Sequence, residues 1–394
     1  MFETLQQAPA DKIIALIGLY RNDPRPGKVD LGVGVYKDID GRTPVMRAVR
    51  EAEKRLLASQ DTKTYLGLPG DTAFNTAMIK LAFGEKADVS RIRAAQAPGG
   101  SGALRLVAEL LQRSRAGATV WLSDPTWPNH PPVMRGAGLK VRDYPYFDAA
   151  SGAVRFDDML AALKTAASGD VVLLHGCCHN PTGANLDVAQ WAKVADVLLE
   201  RGLLPFVDIA YQGFGDGLDA DAAGLRLLAE KMPEMVVASS CSKNFAVYRD
   251  RVGAAMILAK DGAQANVAIS QMLAAARALY SMPPDHGAAA VHMVLEDAEL
   301  KKDWETELED MRLRMLKLRV AFAEALRRQS NSDRFDFIAS HRGMFSRLGL
   351  TEAQVERLRA EHAIYMVGDS RINVAGLPED GMDDLAKAIV SVLD

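Results

Sequence analysis

The chain has 394 residues, 48% hydrophobic and 25% charged, with a formal net charge of −4. That length supports one large domain with a sizeable core plus a smaller one. So small a negative charge excludes a general nucleic-acid footprint, and no apolar run reaches membrane-spanning length. Cys177, Cys178 and Cys241 form no CxxC pair and no disulfide framework, as fits a reducing compartment. Residues 1–20 lack the basic start and unbroken apolar core of a signal peptide, so the expected location is cytoplasmic.

In chain order, Asp11 to Tyr20 has helical spacing of apolar residues, and the run Asn22 to Gly27 (NDPRPG) ends it. The glycines of Val29 to Tyr36 suggest close backbone approach; the third glycine of a dinucleotide fingerprint is missing. Val45 to Ser59 reads as an amphipathic helix. From about residue 95, apolar strands alternate with helices. The strands are Thr119–Leu122, Val171–Leu174, Leu204–Val207, Val236–Ala238 and Ala254–Leu258; the helices include Gly102–Arg113 and Val188–Arg201. Such alternation predicts an α/β fold with a mostly parallel sheet covered on both faces and ligands beyond the carboxyl ends of its strands. Pro205 is tolerable only near a strand start. Asp297 to Arg328 carries an apolar stripe through Met311, Met315, Leu318 and Phe322. A helix of that length spans on the order of 45 Å and is expected to bridge into a smaller α+β domain.

Polar runs at strand ends carry the chemistry. Pro98-Gly99-Gly100-Ser101-Gly102 opens a helix, either as a phosphate cradle or as a plain glycine turn with a serine cap. Ser123 to His130 sets Trp127 on a proline-stiffened loop, to stack on a flat ring with His130 at its edge or simply to pack. In His175 to Gly183 (HGCCHNPTG), adjacent cysteines before a Pro-Thr-Gly turn make a poor zinc site; Asn180 reaching a ligand and a core histidine pair are the other readings. Asp208 ends an apolar strand, with Tyr211 three residues on, and has no basic residue near in sequence to offset its burial. Lys243 lies among serines just past another strand, where a desolvated ammonium sheds its proton and attacks carbonyls. A phosphate cradle, a stacking aromatic, a buried carboxylate and a masked lysine together are what pyridoxal phosphate needs. Ser240 and Arg251 would add charge-assisted bonds to its phosphate.

With these runs in hand the chain resembles the fold-type I pyridoxal phosphate aminotransferases, within them the aspartate and aromatic amino acid group. SDPTWPNH, HGCCHNPTG, DIAYQGFGDG, SCSKNF, RVG and GDSRIN stand in the family's order, and the likeness extends from Asp30 to Gly376. The resemblance implies a large cofactor-binding domain at 45–310 and a small one from 1–44 plus 311–394. It implies that Lys243 is the Schiff-base lysine and proton carrier, Asp208 the partner of the pyridine nitrogen, and Tyr211 and Asn180 the partners of the ring oxygen. Trp127 would cover the ring, and Gly100, Ser101, Ser240 and Arg251 would hold the phosphate, joined by Tyr65 from the other subunit of a homodimer. Arg371 would clamp the substrate α-carboxylate beside Gly34, a task suited to a planar fork. Arg277, lent by the partner, would take the distal carboxylate of dicarboxylic substrates.

Three positions depart from the aspartate-type pattern: Met282 replaces asparagine, Ser101 threonine, and Thr64 asparagine. Val35, Lys37 and Thr43 remain aspartate-like. Losing an amide near Arg277 makes the pocket less polar and implies dual specificity for aromatic and dicarboxylic amino acids. A strict aspartate aminotransferase is the alternative. From other classes, a Ser-x-x-Lys acyl hydrolase built on Ser240 and Lys243 lacks its companion motifs, and a cofactor-binding regulator lacks a basic DNA-reading segment.

Overall fold

A computed structural model of the chain describes residues 1–7 and 12–393. Asp11, the predicted start of the first helix, lies outside them; that helix runs Lys12–Asn22. Seven strands form the main sheet: β1 (Ile92–Pro98), β2 (Thr119–Asp124), β3 (Lys140–Pro145), β4 (Val171–His175), β5 (Leu204–Ile209), β6 (Met235–Ser240) and β7 (Val252–Leu258). Their spatial order is β1-β7-β6-β5-β4-β2-β3. Only β7 runs against its neighbours, pairing antiparallel with β1 and β6. Every residue of β6 and β7 is buried, which is why these strands read as continuous apolar runs without alternation.

Two strands escape the sequence pattern for opposite reasons. β1 is rich in alanine, too small to stand out, whereas β3 is a polar edge strand with one neighbour. Pro205 sits one residue into β5, and pairing with β6 begins only at Phe206, so the missing N–H costs that ladder nothing. Because β1, β2, β4, β5 and β6 point the same way, their carboxyl ends share one edge of the sheet. Residues far apart in sequence therefore meet there: Ser240 is opposite Gly253, and His175 opposite Asp208.

The long helix Ala298–Ser330 has 33 residues and buries Met311, Met315, Leu318 and Phe322, with Asp297 accepting from the N–H groups of Glu299 and Leu300 at its start. It packs against the helices Arg47–Ser59 and Met382–Val390. Trp304 on this helix stacks flat on Phe245 at 4.4 Å and donates its indole N–H to the Asn244 carbonyl at 2.7 Å, which pins the turn just after Lys243. Beyond the sheet, Val29–Asp30 pairs parallel with Ile364–Tyr365, and Phe345–Arg347 pairs antiparallel with Arg371–Asn373. Among the described residues no helix is long and apolar enough to cross a membrane.

Gly253 shows how tightly the site edge is built. A Cβ there would lie 2.6 Å from the Gly99 carbonyl carbon and 2.7 Å from the Ser239 carbonyl oxygen. Backbone fills that space, so only glycine lets β7 lie between β1 and β6. Gly253→Ala is expected to cost about 1–3 kcal/mol through forced backbone shifts. The check is the urea midpoint, which falls with an unchanged slope.

Candidate active site

The turn after β6 is fixed from several sides. The Cys241 N–H donates to the Val252 carbonyl (3.0 Å), Ser242 N–H to Ser240 Oγ (3.3 Å), and Ala246 N–H to the Lys243 carbonyl (3.0 Å). This sends the Lys243 side chain into a cavity of about 260 Å³ at the carboxyl edge of the sheet. Its Nζ lies 4.8 Å from the centre of the Tyr211 ring. Burial pulls the Lys243 pKa down to about 8, with Asp208 opposing that fall and Arg251 adding to it. The serine–lysine spacing follows a strand here rather than opening a helix, unlike the acyl-hydrolase arrangement.

Asp208, next to last in β5, lines the same cavity. Its partner is His130, fully buried, whose Nε2 sits 3.0 Å from Asp208 Oδ2. The predicted placement of His130 at a ligand's edge is therefore corrected: its ring meets Trp127 edge-on at 5.3 Å and spends its nitrogen on the carboxylate. The other nitrogen meets Thr126 Oγ1 at 2.8 Å, and that hydroxyl meets His175 Nε2 at 3.2 Å. Burial pushes Asp208 up, but the His130 hydrogen bond, with the nearby Lys243 ammonium adding to it, outweighs burial and holds the carboxyl below its usual range. Burial, then His130, brings His175 down to about 3, so it stays neutral at pH 7. An ionised carboxylate and a lysine of depressed pKa thus share one small space.

At the far end of the cavity the helix Gly99–Ser114 starts directly from β1, with Gly99 at φ +72° and no side-chain cap. Its first N–H groups have no intrahelical partner and sit at the positive end of the helix dipole. Ser101, Ser240 and Arg251 line the same end. The approach is close: a Cβ on Gly100 would lie 2.9 Å from Ser240 Cβ, and one on Gly99 would lie 2.5 Å from an Arg251 guanidinium nitrogen. Free N–H groups, hydroxyls and a guanidinium around a glycine-made hollow fit a phosphate.

Arg371 lies 4% exposed over the Phe345 ring, Cζ to centroid 4.5 Å, and one Nη2 bond goes to the Gly32 carbonyl at 2.9 Å. Burial lowers its pKa, while Tyr211 and Asp369 hold it up. Among the described residues its Nε is buried without a hydrogen-bond partner, and so is Asn180 Oδ1. Buried polar groups are normally satisfied, so orphans beside a cavity point to a polar ligand. Both residues line the cavity, as do Gly34 and Trp127. This donor set fits pyridoxal phosphate together with a substrate carboxylate.

Of the residues singled out from sequence, Tyr65, Arg277 and Met282 do not line this cavity. Tyr65 is 83% exposed, Arg277 is exposed and hydrogen-bonded to Ser281, and Met282 is half-buried. The cavity also gains residues that sequence reasoning missed. Tyr248, whose hydroxyl accepts from the Tyr36 N–H at 2.8 Å, lies only three residues before Arg251 and was open to notice. Phe345 and Ile13 are ordinary apolar residues and give no signal.

Comparison with known proteins agrees with this geometry. Residues 26–389 match the family described as aminotransferase class I and II. The aromatic-amino-acid aminotransferase of Paracoccus denitrificans is 53% identical over 386 residues, 98% of each chain. The aspartate aminotransferase of Escherichia coli K12 is 48% identical over 396 residues, 100% of each chain. Among solved structures, an aromatic-amino-acid aminotransferase from Burkholderia pseudomallei, covalently bound to pyridoxal phosphate, superposes with a TM-score of 0.97 at 44% identity over 100% of each chain. The sheet order, the cavity and these likenesses agree: the chain belongs to the class I and II aminotransferases and has their fold-type I architecture.

Proposed function

We propose that this chain moves the amino group of aromatic L-amino acids, and of aspartate or glutamate, to 2-oxoglutarate or a related 2-oxo acid. The observation that carries the reading is one cavity shared by a lysine of depressed pKa, an ionised carboxylate, an uncapped helix start and a buried arginine. Pyridoxal phosphate, when bound, supplies an aldehyde that attaches amines and a ring that takes up the electron pair left at the substrate Cα. Gly100, Ser101, Ser240 and Arg251 hold its phosphate, Trp127 covers its ring, and Asn180 and Tyr211 bond to the ring oxygen. Asp208, kept ionised by His130, holds a proton on the ring nitrogen. Lys243 would supply the amine that attaches the cofactor, and its neutral Nζ would take the proton from the substrate Cα and deliver it to the cofactor's C4′ carbon. Arg371 clamps the α-carboxylate beside Gly34, which fixes the Cα–H bond toward Lys243.

Tyr65 and Arg277 lie outside the cavity of their own chain, so in this reading they complete the cavity of a second copy and the working unit is a homodimer. Tyr65 reaches the phosphate and Arg277 the distal carboxylate. Met282 in place of an amide leaves Arg277 free to withdraw when an aromatic ring enters. Residues 45–310 form the large cofactor-binding part, residues 1–44 and 311–394 the small part, with the long helix joining them.

The purified holoenzyme is expected to lose its visible absorbance on adding phenylalanine, tyrosine or aspartate and to regain it with 2-oxoglutarate. A response to aspartate alone would mark a strict aspartate enzyme. Lys243→Ala removes covalent attachment, read by mass after borohydride reduction, and lowers turnover by at least about 10³-fold. Arg371→Leu lowers kcat/KM for every donor by about 10²–10³-fold, whereas Arg277→Ala is expected to hurt aspartate far more than phenylalanine. In the apoprotein Lys243 is reactive when neutral, so its rate of acylation rises from about pH 6 and flattens above about pH 9. Asp208 favours the ammonium, so Asp208→Asn shifts that midpoint below 8; a midpoint at the ordinary lysine value in wild type would contradict the buried amine.

A further inference from the structure

Arg319, on the long helix, is fully buried, and among the described residues it takes part in no ion pair. Its charge is met by oxygens of one irregular segment instead. Nη1 donates to the Ile338 carbonyl (3.2 Å) and Ser346 Oγ (2.7 Å). Nη2 donates to the carbonyls of Arg342 (3.2 Å), Gly343 (2.8 Å) and Phe345 (2.6 Å), and Nε to that of Gly343 (3.3 Å). Burying a guanidinium without a carboxylate is unfavourable compared with a packed apolar side chain. Fold stability alone therefore does not account for it.

What the guanidinium grips leads to the substrate end of the cavity. Phe345 and Ser346 belong to the short strand that pairs with Arg371–Asn373. The Phe345 ring lies under the Arg371 guanidinium, meets Tyr211 edge-on at 6.0 Å, and would touch a Cβ at Gly34 at 3.1 Å. The Asn180 loop joins the same point: the Arg342 N–H donates to the Gly183 carbonyl at 2.9 Å, and a Cβ on Gly183 would lie 2.4 Å from the Phe345 carbonyl oxygen and 3.2 Å from Arg319 Nη2.

We propose that Arg319 is a positioning residue for carboxylate recognition: by holding Phe345 and Ser346 it sets the place and angle of Arg371. The inference rests on Arg371 binding the substrate carboxylate. In the holoenzyme, Arg319→Met is expected to weaken binding of two non-reacting carboxylates, maleate and 3-phenylpropionate, by about tenfold. Arg319→Lys does not restore it, because a point charge cannot span the same set of oxygens. In a double-mutant cycle, Arg319→Met and Phe345→Leu are less than additive in carboxylate affinity. A purely structural Arg319 would lower the melting temperature and leave carboxylate affinity unchanged, or give additive effects; either result overturns the proposal. If Arg319→Met is recovered only as aggregate, Ser346→Ala carries the test, with affinity about threefold weaker in support and unchanged affinity against. Arg371→Leu separates the two levels. If it leaves maleate binding intact, the assigned role of Arg371 fails; if it abolishes binding while the Arg319 and Ser346 variants bind normally, only the positioning role fails.

Discussion

The site depends on the mutual burial of Lys243 and Asp208. Alone in that cavity, the carboxyl would be pushed toward its neutral acid and the amine further below 8. The His130 hydrogen bond does most to keep Asp208 ionised, Lys243 adds to it, and Asp208 in turn favours the Lys243 ammonium. With its pKa near 8, roughly a tenth of the lysine is neutral at pH 7, against about 0.04% for an ordinary lysine near 10.4. A neutral amine is thus available without a dedicated base beside it, while the carboxylate remains charged and able to hold a proton on a bound heterocycle.

That pairing is possible because of the sheet. Parallel strands deliver their carboxyl ends to one edge, and β7, inserted against the grain between β1 and β6, begins at that same edge and carries Arg251 just before it. Glycine at 253 lets the helix start at Gly99 lie against Ser239 and Ser240, so the anion end is built from backbone at close quarters. The end bearing Arg371 comes from a separate short ladder, Phe345–Arg347 with Arg371–Asn373. In the proposed reading, cofactor chemistry and substrate recognition would therefore fall to different pieces of secondary structure, and contacts such as Arg342 to Gly183 join them.

This division explains what could be read from the sequence. Strands buried on both faces print continuous apolar runs, so β2, β4, β5, β6 and β7 were legible, and the glycines, Asp208 and Lys243 stood out as polar groups at their ends. The alanine-rich β1 and the polar edge β3 carry no such contrast. The partner of Asp208 was not found because it opens the short helix His130–Gly136 that follows β2, a neighbour only across the sheet. Arg371 was legible only through resemblance to a family, and Phe345 beneath it is an apolar residue among many. The long helix was clear from its stripe, yet Arg319 within that stripe is a charge where the period calls for an apolar side chain.

The same contrast bears on how binding and stability are coupled. Asn180 Oδ1 and Arg371 Nε are buried without partners among the described residues, and an unsatisfied buried group costs about 1–3 kcal/mol. Both residues line the cavity, so a polar ligand that bonded to these atoms there would relieve a cost that the folded chain already carries. A ligand that satisfies these groups favours the native state over the unfolded one in proportion to its affinity, as mass action requires. The orphaned atoms lie on the Asn180 loop and on the Arg371 strand, the two pieces joined through Gly183 and Phe345. A cofactor at one and a carboxylate at the other would therefore stiffen the same junction, and each would find the other's half of the site better ordered.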